Sequence, residues 1–291
     1  EGAYHGIDDS ALVSYLPPMG PELGPERAPQ AVASSAGLMA HTLTETVVLP
    51  FNDGEACSEI IAAHGKELAA VIVDPLSTAA GLALPEDGFL AKLRALADRV
   101  GALLIFDEIV SFRLGPAGTH GEYGVCPDLV CFGKVISGGT PGAVFGGRAD
   151  AMDFYDPAGG PRIHQSGTFN ANPIAMAAGL KTLQLLTDSA YGQMRCMAER
   201  AATGLEAAFA TAGVAARVLV VGSMFRIYFL EELPRNFRQA SRDDAQLQRW
   251  LFFALLNRGI YTRVGGNTSL VTQEQHVDQL VETVRSCLQT L

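Results

Sequence analysis

Hydrophobic residues follow two rhythms along the first two thirds of the chain. The first is short and unbroken: Ala70–Val73 stops at Asp74-Pro75, Leu103–Phe106 at Asp107-Glu108, and Leu129–Phe132 at Gly133-Lys134, with a fourth run over Ala143–Gly147. Apolar runs without alternation, bounded by Gly, Pro or charge, predict strands buried on both faces, as in a parallel α/β sheet. The second rhythm is helical. GFLAKLRALADRV at 88–100 spaces Phe89, Leu93, Leu96 and Val100 along one face, and Gly101 ends it. With its flanking runs it predicts a right-handed βαβ unit. A further strand is expected over Glu45–Asp53, closed by the turn residues Asn52-Asp53-Gly54, with a helix from Cys57 to Gly65. Asn172 as N-cap and Pro173 at the first helical position predict a helix over Ile174–Leu186. Because that helix is apolar on all sides, deep burial is expected. Ala190–Ala212 predicts a second long helix, and Ala149–Tyr155 a short one.

Beyond Gly213 the order becomes irregular. Strands are expected at Val218–Val221, Met224–Phe229 and Gly259–Arg263, and a helix over Asp243–Arg258. A last helix is expected after Thr272, which forms a capping box with Gln275. Pro234–Arg242 reads as a polar surface connector. Asp8–Ser35, rich in Pro, Gly and Ser, reads as a long loop, and loops of that length in compact domains are usually functional.

Composition narrows the possibilities. The 291 residues suffice for one large domain and a smaller one, with 48% hydrophobic and 18% charged residues and no low-complexity tract. A net charge of −10 without a basic cluster argues against nucleic acid or an anionic membrane as partner. No apolar run has the length to span a bilayer. Five cysteines, odd in number and without metal-ligand spacing, fit a reducing, cytoplasmic setting, and six scattered histidines give no metal site.

The chemistry lies where two runs end. In a parallel sheet, ligands sit beyond the carboxyl ends of the strands, so Asp107 and Lys134 are expected at one rim. An acid and an amine so placed suit pyridoxal 5′-phosphate (PLP). The lysine holds the aldehyde as a Schiff base, and the carboxylate keeps the pyridine nitrogen protonated so that the ring accepts carbanion electrons. The plainer alternative is that Asp107 caps a turn and Lys134 is a solvated loop lysine; spacing alone leaves both open.

Four motifs in order, LLIFDEIVSFR, PDLVCFGKVISGG, GAVFGGR and HQSGTFNANP, resemble the class III aminotransferase family of fold-type I PLP enzymes, most closely its glutamate-1-semialdehyde 2,1-aminomutase-like branch. Weaker likeness runs from Tyr4 to about Val264. The resemblance implies an aspartate aminotransferase-like α/β fold. A large PLP-binding domain with a mostly parallel sheet would occupy residues 1–212, and a small α+β domain residues 213–291. It implies that Tyr4 stacks on one face of the pyridine ring and Ile109 packs on the other, that His5 orients this region, that Asp107 pairs with the ring nitrogen, and that Lys134 carries the Schiff base and shuttles the proton. Gly167 and Thr168 would bind the phosphate across the interface of a homodimer. The 8–35 loop would overhang the site as a lid.

Four departures accompany the likeness. Glu1-Gly2-Ala3-Tyr4-His5-Gly6 matches an element from the middle of the family's chain, so the family's preceding segment, with its phosphate-gripping loop, is expected to be missing. Family members usually have Glu where Asp74 stands, which leaves a turn-forming Asx as the other reading, and the segment before Arg113 is one residue shorter than usual. Val264–Ser269 lacks the acid of the aminomutase pattern. The reaction implied first is therefore amino transfer from an amino acid or amino ketone to a keto acceptor. An aminomutase comes second, a racemase or decarboxylase third, with a truncated, non-catalytic PLP-fold protein as the alternative of another kind.

Overall fold

The structure, a computed structural model, describes residues 1–159 and 163–291. Four strands, β1 (Ala70–Val73), β2 (Leu103–Asp107), β3 (Leu129–Phe132) and β4 (Val144–Gly147), form one sheet in the order β1-β2-β3-β4. The first three run parallel, and β4 closes one edge antiparallel to β3. The helix Phe89–Val100 joins β1 to β2, with Gly101 in the left-handed conformation (φ 74°) at its end. It buries Phe89, Leu93 and Leu96 against Val71, Val73 and Leu104. Side chains removed from water at roughly 1.5–3 kcal/mol each make this layer the main anchor of the sheet.

A second, antiparallel sheet joins β5 (Arg217–Val221), β6 (Met224–Tyr228) and β7 (Gly265–Asn267). Its core lies under the helices Asp188–Ala212, Ala245–Leu256 and Glu274–Leu288. The apolar face of Asp188–Ala212, including Ala198, Leu205 and Phe209, packs into this second core. A mixed cluster seals the seam between the sheets: Leu76, Leu82 and Leu114 from the first half meet Leu219, Met224 and Tyr228.

Several local expectations are corrected. Glu45–Asp53 forms no strand: Pro50 lacks a ladder donor, Val48 and Phe51 are buried as anchors, and Asn52 turns the chain at φ 65°. The third strand of the small sheet is Gly265–Asn267, because Gly259 (φ 79°) folds the chain back at the helix end before Ile260. The capping box stands one residue later, between Gln273 and His276. The 234–242 connector contains the helix Phe237–Ala240 and buries Phe237 against Leu23.

The largest correction concerns the apolar helix. Pro173–Leu185 is capped as expected, Asn172 Oδ1 accepting from Ile174 N at 3.0 Å and Ala175 N at 3.3 Å. It is not deeply buried in this chain, for Ile174 is 72% and Leu180 60% exposed. Its small residues make the contact instead. A Cβ on Gly179 would stand 2.5 Å from the Ile136 carbonyl oxygen, and one on Gly138 2.5 Å from that of Ala178. The helix thus docks backbone to backbone on the turn that carries Lys134.

Candidate active site

Because β1, β2 and β3 are parallel and in register, with Val73 opposite Phe106 and Asp107 opposite Cys131, the residues that follow them emerge at one rim. Those residues are Asp74, Asp107-Glu108 and Gly133-Lys134. The rim carries three buried carboxylates and one amine, and the carboxylates differ sharply in what holds them.

Asp107 is 7% exposed. Its Oδ2 lies 2.8 Å from His5 Nδ1, and its Oδ1 accepts the Ile109 N–H at 3.1 Å. A carboxylate has about four lone-pair sites, so one on each oxygen stays open. Ile109 packs beside Gly133: a Cβ there would meet Ile109 Cγ2 at 3.4 Å. The structure therefore brings His5, Asp107 and Ile109 together at the base of the Lys134 turn.

Lys134 begins the tight turn Lys134–Ser137 and adopts φ 49°, a left-handed conformation that costs a residue with a Cβ roughly 1–2 kcal/mol. Such strain persists only where surrounding contacts enforce it. Here Ser137 Oγ donates to the Gly142 carbonyl at 2.6 Å, and the Pro173–Leu185 helix presses on the turn. The Lys134 side chain is exposed, and among the described residues its amine meets no carboxylate.

Tyr4, 39% exposed, packs its ring against Tyr15 at 4.7 Å between centroids and leads directly into His5. Gly167 and Thr168 are not brought to Asp107 or Lys134. They lie in an exposed turn before Asn172, where the Gly167 carbonyl accepts from Asn170 N at 3.0 Å. Asp74 behaves as the turn-former. It accepts from Leu76 N (3.1 Å), from Thr78 N (2.7 Å) and from the Thr78 hydroxyl. Burial raises its pKa above the usual carboxylate range, the Thr78 hydrogen bonds oppose the rise, and the charge of Asp107 adds to it.

Sequence reasoning missed Glu108. It is fully buried and accepts from Thr119 N at 2.6 Å and His120 N at 3.1 Å, with His120 Nδ1 also at 3.1 Å. Gly118 (φ 60°) allows this approach, since a Cβ there would collide with Glu108 Oε2. The acidic pair after an apolar run was the available signal. Arg113 also finds a definite place. Its Nε donates to Ser223 Oγ at 2.8 Å and its Nη2 to the Thr268 carbonyl at 2.7 Å, and burial lowers its pKa.

Comparison with known proteins gives this geometry a context. The family model for class-III aminotransferases matches residues 2–288. A glutamate-1-semialdehyde 2,1-aminomutase of Roseiflexus castenholzii is 39% identical over 293 aligned residues, which take in 100% of this chain and 65% of that protein. The chain thus spans about two thirds of that relative's length. Among solved structures, an omega-transaminase from Sphaerobacter thermophilus superposes with a TM-score of 0.93 at 35% identity, over 99% of this chain and 67% of that one. A transaminase with PLP bound superposes at 0.86 with 30% identity, over 99% and 66%.

Proposed function

The chain belongs to the class III aminotransferase family, and from that premise we propose that it binds PLP and moves an amino group between an amino acid or amino ketone and a keto acceptor. Its fold is that of the fold-type I transferases, an α/β sheet with a smaller sheet packed beside it. On this reading residues 1–212 carry the cofactor and 213–291 form the smaller domain, with the helix Asp188–Ala212 packed into the second core as the element they share.

The residues present fit the group. A buried carboxylate with open lone pairs suits a protonated pyridine nitrogen, and an amine that meets no carboxylate among the described residues suits an aldehyde. When bound, PLP supplies a carbonyl that takes up the amino group and a ring that accepts the electron pair from the substrate α-carbon. Asp107 holds a proton at the ring nitrogen. His5 and Ile109 N fix the carboxylate so that its remaining lone pairs point one way. Lys134 Nζ would hold the aldehyde carbon and, once released from it, would carry a proton to and from the substrate. Tyr4 and Ile109 would cover the faces of the ring, and Gly167 with Thr168 would complete the phosphate site of a second subunit in a homodimer.

The observation that carries this reading is the pairing in register of β2 and β3, which delivers Asp107 and a Lys134 that meets no carboxylate among the described residues to one rim. The test is an absorbance scan of the chain with PLP. The wild type is expected to give the long-wave band of a lysine adduct, and Lys134→Ala is not; equal bands in both would refute the proposal. A second reading, intramolecular amino transfer, is favoured by the likeness to the Roseiflexus aminomutase, while Val264–Ser269 brings no acid to β7. Donor amine alone would then be turned over, whereas a transferase needs a keto acceptor as well.

Among the described residues no helix is long and apolar enough to cross a membrane. All five cysteines are free thiols, which favours a reducing compartment such as the cytoplasm.

A further inference from the structure

Arg113 sits six residues beyond Asp107, and the segment between them is tied down at short intervals. Glu108 N donates to the Cys131 carbonyl, Ile109 N to Asp107 Oδ1, and Phe112 N to the Glu108 carbonyl. A displacement of Arg113 is therefore felt at Asp107. The other end of the side chain is fixed to the small sheet. Ser223, in the β5–β6 turn, and Thr268, just after β7, are 2% and 4% exposed and accept two prongs of the guanidinium fork. Thr268 is itself bolted in place: its N donates to the Ser223 carbonyl at 2.8 Å, and its hydroxyl lies 2.6 Å from the Met194 carbonyl. The guanidinium thus grips the point where the β5–β6 turn, the end of β7 and the helix Asp188–Ala212 converge.

The backbones also approach closely there. Gly222 turns at φ 55°, and a Cβ on it would lie 3.1 Å from Leu114 Cδ1 and 3.3 Å from Leu114 Cα. Apolar packing between Leu114, Val221 and Met224 already seals this seam. Among the described residues no carboxylate pairs with Arg113; every acceptor it has is neutral. A desolvated cation without a counter-ion is a poor means of stabilising a seam, and an apolar side chain of similar size would do so at lower cost. What the planar fork adds is direction, two acceptors engaged at a fixed angle.

We infer that Arg113 is a positioning residue, one that locks the small sheet to the Asp107-bearing segment so that the ring-binding carboxylate keeps its place when the two units move relative to each other. The inference rests on the PLP reading above and goes beyond it, because among the described residues the hydrogen bonds of the Arg113 side chain go to none of those proposed to hold the cofactor. It acts through the backbone between positions 108 and 113.

The experiment uses this chain with Arg113→Met, which keeps length and apolar packing, and Arg113→Lys, which keeps charge without the fork. Two readouts are taken: amide hydrogen exchange without cofactor, and the PLP dissociation constant. Arg113→Met is expected to raise exchange in peptides covering 107–114, 222–224 and 266–268 together, and to weaken PLP about tenfold, the scale of one hydrogen bond to a charged group. Arg113→Lys is expected to recover part of both losses. If Arg113→Met does not fold, Ser223→Ala, which removes only the Nε acceptor, is expected to give the same pattern with a shift of about threefold. Faster exchange with unchanged PLP affinity would reduce Arg113 to a structural stitch and overturn the inference, as would exchange unaltered in the 107–114 peptide. PLP uptake by the wild type tests the functional reading, and the difference between wild type and variant tests this one, so the two failures are told apart.

Discussion

Two buried aspartates stand at opposite ends of the same sheet and are held in opposite ways. Asp128, at the amino end of β3, accepts from Arg94 at 2.6 Å, Arg148 at 2.8 Å and Leu104 N at 2.7 Å. Burial works against its charge, but the bonds from Arg148, Leu104 N and Arg94 outweigh that and bring its pKa down to about 2. Asp107, at the carboxyl end of β2, has one histidine and one backbone N–H. The first site uses its bonding capacity to join a helix, two strands and the end of β4. The second leaves capacity open at the rim that also carries Lys134, whose amine meets no carboxylate among the described residues. A carboxylate tied down by two guanidinium groups and a backbone N–H serves as scaffold, whereas one left with open lone pairs at the ligand-facing rim has room to accept a further donor.

The sharpest way to break this contrast is to neutralise each acid in turn. Asp107→Asn is expected to weaken PLP binding roughly 100-fold, the loss of one charge-assisted bond to the ring, while shifting unfolding by no more than about 1 kcal/mol. Asp128→Asn is expected to do the reverse. It removes the carboxylate from half-buried Arg94, which keeps Asp98, and from exposed Arg148, and should cost about 2 kcal/mol in urea unfolding, with PLP affinity unchanged within about twofold. Matching losses in both variants would erase the distinction.

The same asymmetry sets a pH dependence. Asp128's folded pKa of about 2 lies below its ordinary 3.8. Its contribution is thus fully present above pH ~4 and is lost as pH falls toward 2. Unfolding midpoints measured between pH 5 and 2 should fall less steeply in Asp128→Asn than in wild type; parallel curves would remove Asp128 as the cause.

A smaller effect probes the Lys134 end. Gly179→Ala places a methyl 2.5 Å from the Ile136 carbonyl oxygen and should push the Pro173–Leu185 helix off the Lys134 turn, costing about 1–2 kcal/mol. Cofactor release after dilution should quicken with it. The smallest expected change is at Thr168. On the proposed reading Thr168→Ala should weaken PLP retention, and because its exposed turn contributes little to this chain's stability, the unfolding midpoint and the proposed dimer should stay intact. Unchanged retention would make it a structural threonine.

The rim was legible in the sequence because strand ends are local. An apolar run that stops at a charge puts that charge at the edge of a parallel sheet, and both Asp107 and Lys134 follow from that. The cap at Asn172-Pro173 was legible for the same reason. What escaped depends on partners far along the chain. Glu108 is explained by Thr119 and His120, Asp128 by Arg94 and Arg148, and Arg113 by Ser223 and Thr268. None of those pairings leaves a periodic signal. The Pro173–Leu185 helix misled for a different reason: an all-apolar pattern says that many faces avoid water, but not which face this chain covers. Here the small residues Ala175 and Gly179 face inward, and the large ones point out. Glu45–Asp53 shows that an apolar run is a strand only if a ladder partner exists beside it.

The most direct measurement is borohydride reduction of the chain after incubation with PLP, followed by peptide mapping of its four lysines, Lys66, Lys92, Lys134 and Lys181. The added mass of the reduced cofactor is expected on the peptide containing Lys134 and to vanish from it in Asp107→Asn at limiting PLP. A folded chain labelled at any other lysine, or at none, would contradict the assignment of this rim as the cofactor site.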